Sequence, residues 1–327
     1  MVTLLKESHL RRLLVMRDLV PLMERALAAF STGAVVQPVR PVIPVETHGG
    51  ILALMPAYVR DQGALGFKVV TFYPGNAARG LPTHLATIML HDPATGAPLA
   101  LLDGRLITEM RTAAVSAAAT KHLARRGAAI AALLGAGVQA RSHIEALREV
   151  CALREVRVWT RTRAHADAFA RETAERYGLP VAAAASAEEA VRGAEVICTV
   201  TSSQTPVLEG RWLSPGAHIN AVGAPRPTWR EMDTEAVVRA RLFVDSRAAA
   251  VVEAGDIVAP MNEGAITGDH IRAEIGEVFA GRRPGRTDAG QVTLFKSLGL
   301  AVEDVATAQL AYERARERQV GEELALD

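Results

Sequence analysis

A glycine-rich turn near the middle of the chain has the spacing of a phosphate-binding loop. The hexapeptide Gly135–Ala140, GAGVQA, follows the apolar run Ala128–Leu134 and opens a segment whose apolar residues recur at helical spacing. In a GxGxxA turn the first glycine permits the tight turn, and the second lets the backbone approach a pyrophosphate. The amides of the helix N-terminus then face the phosphates. A glycine turn between any strand and helix can look similar, so the strand-turn-helix context carries the prediction of a dinucleotide site.

The end of the following strand bears on which dinucleotide is bound. An NAD site places Asp or Glu there to accept a hydrogen bond from the ribose 2′-hydroxyl. This chain has Thr160-Arg161-Thr162-Arg163 and no acidic residue. An Arg pairs with a 2′-phosphate through two hydrogen bonds, whereas a carboxylate repels it. We therefore expect NADP(H) to be preferred and NAD(H) to be possible. The alternative is that both arginines are solvated residues at a helix start.

Three basic residues stand in segments where a positive charge needs an explanation. Lys68 lies inside the apolar run Leu65–Phe72, where a charge requires a partner. Arg40 lies between two prolines in an otherwise extended segment, and Arg111 falls in the predicted first turn of an Ala-rich helix, where amides favour anions. Arg and Lys together suit a planar carboxylate. A structural ion pair or a snorkelling side chain is the alternative for each.

The elements that position these residues begin with a mixed α+β unit in the first hundred residues. A helix is predicted over Val20–Phe30, and turn residues separate a series of short strands. Because the links are short, antiparallel pairing is favoured. A long helix is then predicted from Glu109 to Arg125, with Thr108 as its N-cap. The predicted strands are Val39–Val45, Ile51–Tyr58, Leu65–Phe72, Thr83–Leu90 and Leu99–Leu102.

From Ala128 onward, predicted strands and helices alternate, which indicates a parallel, doubly wound sheet. The fold class is therefore α/β, with a Rossmann-type doubly wound nucleotide domain plus an α+β domain. The predicted strands are Ala128–Leu134, Val156–Thr160, Pro180–Ala183, Glu195–Thr199, Ala217–Val222, Arg241–Val244 and Val292–Phe295. The predicted helices are Val138–Val150, Arg163–Tyr177, Ala187–Arg192 and Val302–Arg318.

Length and composition exclude several classes of protein. The chain has 327 residues, which suggests two domains at about 150 residues each. Its net charge is +1 without a basic stripe, so nucleic acid is not expected as a partner. No uncharged apolar run reaches the ~18 residues of a membrane span. The two cysteines and nine histidines show no metal-ligand spacing, so no metal site is predicted. The first residues lack a secretory pattern, and we expect a cytoplasmic protein.

Short motifs spread in order over most of the chain carry a family resemblance. They are LMPAY at Leu54–Tyr58, GFKVV at Gly66–Val70, GLPTH at Gly80–His84, MRTAA at Met110–Ala114, the glycine turn Gly135–Ala140, HINAVGA at His218–Ala224, Arg226-Pro227, WRE at Trp229–Glu231 and FKSLG at Phe295–Gly299. With these motifs the chain resembles the ornithine cyclodeaminase/μ-crystallin family, and most closely its branch of μ-crystallin-like ketimine reductases.

The resemblance implies two domains and a homodimer. Residues 1–112 together with 300–327 would form a substrate-binding and dimerisation domain. Residues 113–299 would form the NAD(P)-binding Rossmann domain. The implied cofactor contacts are His84, Thr112, Gly135, Gly137, Val138, Gln139, Thr160, Arg161, Thr162, Val200, Thr201, Val222 and Ser297.

The same resemblance implies how the substrate is held. It places Arg40, Lys68 and Arg111 around the substrate carboxylate, with Lys68 and Arg111 as the catalytic residues. Met55 and Pro225 would also contact the substrate. The implied reaction is NAD(P)H-dependent reduction of a carbon–nitrogen double bond next to a carboxylate, as in Δ1-piperideine-2-carboxylate or Δ1-pyrroline-2-carboxylate. The product would be a cyclic L-amino acid, and Lys68 or a held water would supply the proton.

Two departures from the family pattern reduce the number of reactions that the chain is expected to catalyse. The cyclodeaminase branch has a Glu before the Leu-Met-Pro segment and an Asp after the Val-Gly turn, where this chain has Ala53 and Pro225. Neither replacement can move a proton, which argues against ornithine cyclodeamination. Two other interpretations stay open. One is an amino-acid dehydrogenase or reductive aminase acting on open-chain 2-keto acids, and the other is a non-catalytic, NADP-dependent protein that binds a small ligand.

Overall fold

The chain divides into two units, at Arg111/Thr112 and at Leu298/Gly299. The computed structural model describes residues 1–325. Met1–Arg111 and the chain from Gly299 onward form one unit, and Thr112–Leu298 forms the other. The domain bounds expected from the resemblance differ from this division by one residue at each junction.

The first unit begins with two helices and a meander of antiparallel strands. Strands β4 to β7 pair in sequence order, as their short connections predict, and β2 and β3 both pair antiparallel with β4. The elements are β1 (Val2–Leu5), α1 (Glu7–Leu13), α2 (Met16–Ser31), β2 (Val35–Val36), β3 (Val42–Val45), β4 (Gly50–Val59), β5 (Ala64–Phe72), β6 (His84–His91) and β7 (Pro98–Asp103).

Helix α3, Gly104–Leu123, begins earlier than predicted. Asp103 ends β7, and its Oδ1 accepts a hydrogen bond from the Leu106 amide at 3.0 Å, so an acid at a strand end holds the first turn. The prediction that Thr108 is the N-cap is therefore wrong. Arg111 consequently lies in the helix interior, and amides at the helix start do not account for its position.

The second unit is a Rossmann-type sheet in which every strand pairing is parallel. Within residues 1–325 the strand order is β10-β9-β8-β11-β12-β15-β13-β14, which reverses direction between β8 and β11. The elements are β8 (Ile130–Leu134), α4 (Val138–Leu147), β9 (Glu155–Trp159), α5 (Arg163–Tyr177), β10 (Val181–Ala183), α6 (Ala187–Val191), β11 (Val196–Thr199), β12 (His218–Ala221), α7 (Thr234–Arg239), β13 (Ala240–Val244), α8 (Arg247–Glu253), α9 (Gly255–Asn262), β14 (Ile271–Glu274), α10 (Ile275–Phe279) and β15 (Val292–Lys296).

The chain then returns to the first unit through helix α11, Ala301–Arg318, and strand β16, Glu322–Leu324. Strand β16 pairs with β1, which itself pairs parallel with β7. Helix α11 packs on α2 and across β4, β5 and β6. Small buried residues, including Ala308, Ala311 and Ala315, let it approach the sheet closely.

The opposite face of this first sheet is apolar and exposed. Ile43 pairs with Leu52 across β3 and β4, and Leu52 continues through Thr71 to Leu85, so these side chains share one face. Ile43 is 60%, Leu54 37% and Leu85 47% exposed. We call Ile43, Leu54 and Leu85 the apolar sheet face. Within residues 1–325, no helix has both the length and the apolar character needed to cross a bilayer.

Candidate active site

Lys68 lies in the middle of β5, with its ammonium group buried against helix α11. Its Nζ forms an ion pair with Oδ2 of Asp304 at 2.5 Å and donates a hydrogen bond to Oγ1 of Thr108 at 3.2 Å. Burial lowers the pKa of Lys68 to about 8, and the charges of Arg111 and Arg40 act in the same direction against the Asp304 carboxylate. A lysine with this pKa can release a proton near neutral pH.

Arg111 lies on helix α3, and its guanidinium also contacts helix α11. Its Nε donates to Oδ1 of Asp304 at 3.0 Å, and its Nη1 donates to Oε2 of Glu303 at 2.6 Å. Gly299, with φ +79°, packs against the guanidinium so closely that a Cβ there would collide with it. Two carboxylates in the first turn of α11, and the glycine that precedes this helix, therefore fix the position of the Arg111 guanidinium.

Three basic and two acidic side chains make up this cluster. Arg40, Lys68 and Arg111 carry three positive charges, and Glu303 and Asp304 carry two negative ones. Arg40 is half-buried and near enough for its charge to help lower the pKa of Lys68. Guanidinium and ammonium groups of this kind bind carboxylates well. We call these five residues the clamp.

His84 and Met55 lie beside the clamp. Burial and the charges of Lys68 and Arg111 lower the pKa of His84 to about 4, so the ring is neutral at physiological pH. Met55 stands opposite Lys68 in the β4–β5 ladder and is buried on the same face. Ala53, two residues earlier, is also buried there and has no group that can carry a proton. The structure thus brings His84, predicted as a cofactor contact, into the electrostatic range of the clamp.

The second unit contains a pocket at the carboxyl ends of β8, β9 and β11, where α/β sheets bind ligands. Gly135 has φ +117°, and a Cβ there would lie 2.7 Å from the Val200 carbonyl oxygen, so the turn requires glycine. A Cβ added at Gly137 would have no neighbour within 4 Å, and helix α4 begins at the next residue. This cradle fits a pyrophosphate. Its lining residues are Gly135, Ala136, Gly137, Trp159, Thr160, Arg161, Val200, Thr201, Ser202, Ser203 and Val207.

The two arginines at the end of β9 have different surroundings. Arg161 is exposed and lines the pocket. Arg163 begins helix α5, and its Nε pairs with Oδ1 of Asp167 one turn later at 2.9 Å. The description of a solvated residue at a helix start therefore applies to Arg163, whereas Arg161 lines the pocket.

The other predicted cofactor residues do not line this pocket. Val138 is exposed at the start of α4, and Gln139 follows it with a buried Oε1 that finds no hydrogen-bond partner among residues 1–325. Thr162 precedes α5. Ser297 follows β15, and its buried Oγ likewise has no partner in the described part of the chain. Buried polar atoms that lack a protein partner in a nucleotide-binding fold are candidates for hydrogen bonds to a ligand.

Three further predicted site residues are also absent from the lining of this pocket. Thr112 is buried in α3, and Val222 is half-buried just after β12. Pro225 is exposed and follows Ala224, which is buried with a left-handed backbone at φ +54°. No group of three or more His, Cys, Asp or Glu within residues 1–325 is arranged to hold a metal ion.

Sequence reasoning missed the acidic partners of these sites. Glu303 and Asp304 of the clamp were not predicted, because two acids near the start of a helix are typical of a solvated first turn. A second buried cluster, Glu231 with Asp256 and Lys296, lies at the carboxyl end of the second sheet. Lys296 ends an apolar strand, and Lys68 lies inside another. A lysine in an apolar strand needs a buried partner, so the sequence pattern that identified Lys68 could also have identified Lys296.

Known proteins with this architecture match the chain over nearly its full length. The chain is 48% identical over 298 residues to ketimine reductase mu-crystallin of Rattus norvegicus, covering 90% of this chain and 91% of that protein. Its fold matches Thermococcus litoralis Δ1-pyrroline-2-carboxylate reductase in complex with NADH and L-proline, with a TM-score of 0.97, 43% identity, and coverage of 99% and 100%.

A second solved structure is also similar. It is an archaeal alanine dehydrogenase dimer with bound NAD, with a TM-score of 0.95, 34% identity, and coverage of 100% of this chain and 99% of that one. The profile of the ornithine cyclodeaminase/mu-crystallin family matches residues 2–319. Taken with the glycine cradle and the clamp, these matches show that the chain belongs to the ornithine cyclodeaminase/mu-crystallin family.

Proposed function

We propose that this chain is an NAD(P)H-dependent reductase of cyclic ketimine carboxylates, of the Δ1-piperideine-2-carboxylate and Δ1-pyrroline-2-carboxylate type. The observation that carries this proposal is the clamp, in which Lys68 and Arg111 share Asp304 and Arg40 lies near enough to act on Lys68, a convergence of the cations that bind carboxylates. The relatives named ketimine reductase and pyrroline-2-carboxylate reductase support the same substrate class.

The residues of the clamp have separate tasks in this reaction. Arg40 and Arg111 hold the carboxylate and so fix the orientation of the neighbouring C=N bond. Lys68 donates a proton to the imine nitrogen, which makes the carbon a better acceptor. The bound nicotinamide supplies the hydride that the imine carbon receives. Carbon gains the hydride and nitrogen the proton, so C=N becomes CH–NH.

The test is a substrate panel scored by NADPH consumption, with the amino-acid product identified by chiral chromatography. We expect the two cyclic imines to be reduced to L-pipecolate and L-proline. Pyruvate with ammonia or methylamine serves as the open-chain comparison. A higher kcat/KM on the open-chain pair, or no turnover of either imine, would overturn the proposal.

We further propose that NADP(H) is preferred over NAD(H). Arg161 at the pocket and the lack of an acid between Thr160 and Arg163 support this preference, because a 2′-phosphate gains a guanidinium partner there. The NAD-bound relatives keep NAD(H) as a possible second cofactor.

We also propose that the chain functions as a homodimer in the cytoplasm. The apolar sheet face supports self-association, because contiguous exposed apolar surface on one side of a sheet usually marks an interface. The relative solved as a dimer supports the same state. The free thiols of Cys151 and Cys198 suit a reducing compartment.

A further inference from the structure

A buried carboxylate joins two loops at the carboxyl edge of the Rossmann sheet. Glu231 has no exposed surface. Its Oε1 accepts hydrogen bonds from the amide and from Oγ1 of Thr201, both at 2.6 Å, and its Oε2 accepts from the Gly223 amide at 2.8 Å. Thr201 follows β11 and lines the pocket, whereas Gly223 follows β12. One side chain thus holds the ends of two neighbouring strands.

Glu231 is itself held from the other side. Oδ1 of Asp256 accepts from the backbone amides of Glu231 at 2.7 Å and Met232 at 3.0 Å, and its Oδ2 pairs with Nζ of Lys296 at 2.9 Å. Lys296 also donates to the Gly223 carbonyl oxygen. Both the amide and the carbonyl of Gly223 are therefore fixed by this one network. A Cβ at Gly223 would collide with the Glu231 carboxylate, so the contact leaves no room for another residue.

We propose that Glu231 is a positioning residue for the nicotinamide dinucleotide. It does not line the pocket, and it acts by holding the Thr201 loop and the Gly223 turn in the arrangement that the dinucleotide needs. The inference rests on the proposed use of this pocket by NAD(P)H. The ends of parallel strands beside the reversal of strand order are where such folds bind dinucleotides, so rigidity there bears on cofactor affinity.

The chemistry of the contact requires a carboxylate. All three groups that face Glu231 from the two loops are donors, and each carboxylate oxygen accepts from one loop. In Glu231→Gln, one oxygen becomes an NH2 group, which cannot accept and would face a backbone or hydroxyl donor. One loop is then released while the volume of the side chain is kept. Burial and the Asp256 carboxylate raise the pKa of Glu231, against the opposing effects of Lys296 and the hydroxyls of Thr201 and Thr199.

The experiment measures NADPH binding to the full-length protein without substrate, by nicotinamide fluorescence and by calorimetry. We expect Glu231→Gln to raise the NADPH dissociation constant at least tenfold. The KM of the imine at saturating NADPH should change less than twofold, because the clamp residues are untouched. Hydrogen exchange should become faster at the Thr201 and Gly223 amides.

The matched control is Asp233→Asn, two residues away. Asp233 is also a carboxylate that accepts from two backbone amides, those of Gly210 at 2.9 Å and Ala236 at 2.8 Å, but it caps helix α7 and not a pocket loop. It should leave NADPH affinity unchanged and the fold intact, because both amides donate to Oδ1, the oxygen that Asn keeps. An equal loss of NADPH affinity in both variants, or unchanged affinity in a folded Glu231→Gln, would overturn the positioning role.

A second variant keeps the test decisive if Glu231→Gln does not fold. Glu231→Asp keeps the charge but is one methylene shorter, so it can reach one loop and not both. It should weaken NADPH binding with faster exchange at either Thr201 or Gly223, and unchanged binding would again contradict the inference. The proposed reaction is tested separately by imine turnover. A parent protein that binds NADPH but reduces no imine contradicts the reaction and leaves the role of Glu231 standing.

Discussion

Lys68 and Arg111 share the carboxylate of Asp304. The ammonium group lies 2.5 Å from one oxygen and the guanidinium Nε 3.0 Å from the other. A carboxylate used in this way holds two like charges together at a distance that they would otherwise avoid. It also sets the acidity of Lys68, because its negative charge opposes the lowering of the pKa by burial.

The first prediction is a fall in imine reduction at alkaline pH. Lys68 must be protonated to act as the acid, and its pKa is lowered to about 8. We therefore expect kcat/KM for reduction to be constant below this pH and to fall about tenfold per pH unit above it. Oxidation of the cyclic amino acid should rise over the same range. The measurement is the pH profile in both directions at saturating cofactor.

The variant Asp304→Asn shows whether the fall in activity at alkaline pH comes from titration of Lys68 or of the substrate imine. Removing the carboxylate that raises the pKa of Lys68 must move the alkaline break to lower pH, whereas an ionisation of the imine would stay where it is. Circular dichroism and the melting temperature check that the variant folds. An alkaline break at the same pH in both proteins would exclude Lys68 as the proton donor.

The second prediction concerns Arg111. In Arg111→Ala the substrate carboxylate loses a buried, hydrogen-bonded partner, which costs roughly 2–5 kcal/mol. We expect kcat/KM for the imine to fall about 30-fold or more, with NADPH affinity within twofold of the parent. Arg163→Ala, which removes an exposed Arg in the other unit, is the control and should change neither quantity. Unchanged imine kinetics in Arg111→Ala would remove Arg111 from the clamp.

The third prediction is the cofactor preference. Arg161→Asp removes the cation at the pocket and adds a charge that repels a 2′-phosphate. The ratio of kcat/KM for NADPH to that for NADH should fall at least tenfold, about 1.4 kcal/mol. Arg163→Ala should leave the ratio unchanged, since that side chain is paired with Asp167. A parent enzyme that prefers NADH tenfold would show that Arg161 does not select the cofactor.

The fourth prediction concerns the apolar sheet face. Ile43→Glu and Leu54→Glu place charges at positions 60% and 37% exposed, where a partner chain would bury them. Light scattering should give the mass of two chains for the parent and close to 34.8 kDa for the double variant. Val238→Glu, at an apolar position 45% exposed in the second unit, should stay dimeric. A monomeric parent, or a dimeric double variant, contradicts this interface.

The fifth prediction is that ornithine is not cyclised. Ring closure with loss of ammonia needs proton transfers that Ala53 and Pro225 cannot make, while reduction of a preformed imine bypasses those steps. Ammonia release from ornithine with either oxidised cofactor should be undetectable. Proline formed from ornithine at a rate comparable to imine reduction would contradict this prediction. Pro225→Asp alone should not create the activity, because Ala53 would still lack a carboxylate and the geometry after Ala224 would change.

The sequence was informative wherever local pattern decides structure. The alternation from Ala128 onward predicted the parallel sheet, and helix α5 begins and ends at its predicted residues, Arg163 and Tyr177. The start of α3 was misplaced, because the residues after Gly104 fit a strand as well as a helix and the decisive contact is the capping of Leu106 by Asp103. Strands β1 and β16 were not predicted, because each is short and pairs with a segment distant in the chain.

The sequence identified the basic residues of the clamp but not its acidic residues. Lys68 and Arg111 were identifiable, since a charge in an apolar run or an Ala-rich helix needs a reason. Their partners Glu303 and Asp304 come 192 and 193 residues after Arg111, and only the packing of α11 across β5 brings them close. No local pattern distinguishes such acids from solvated ones at the start of a helix.

The cluster of Glu231, Asp256 and Lys296 also constrains how this chain can change over time. Its members are 25 and 40 residues apart in sequence but are all fully buried. Replacing Asp256 or Lys296 alone strands the charge of the other, at a cost of about 3–5 kcal/mol, which is a large fraction of a domain's stability. Single substitutions in this ion pair should therefore be purged, and diverging lineages should keep or exchange its two members together. A library aimed at new cofactors should randomise the pair jointly, because stepwise mutagenesis meets a barrier at its first step.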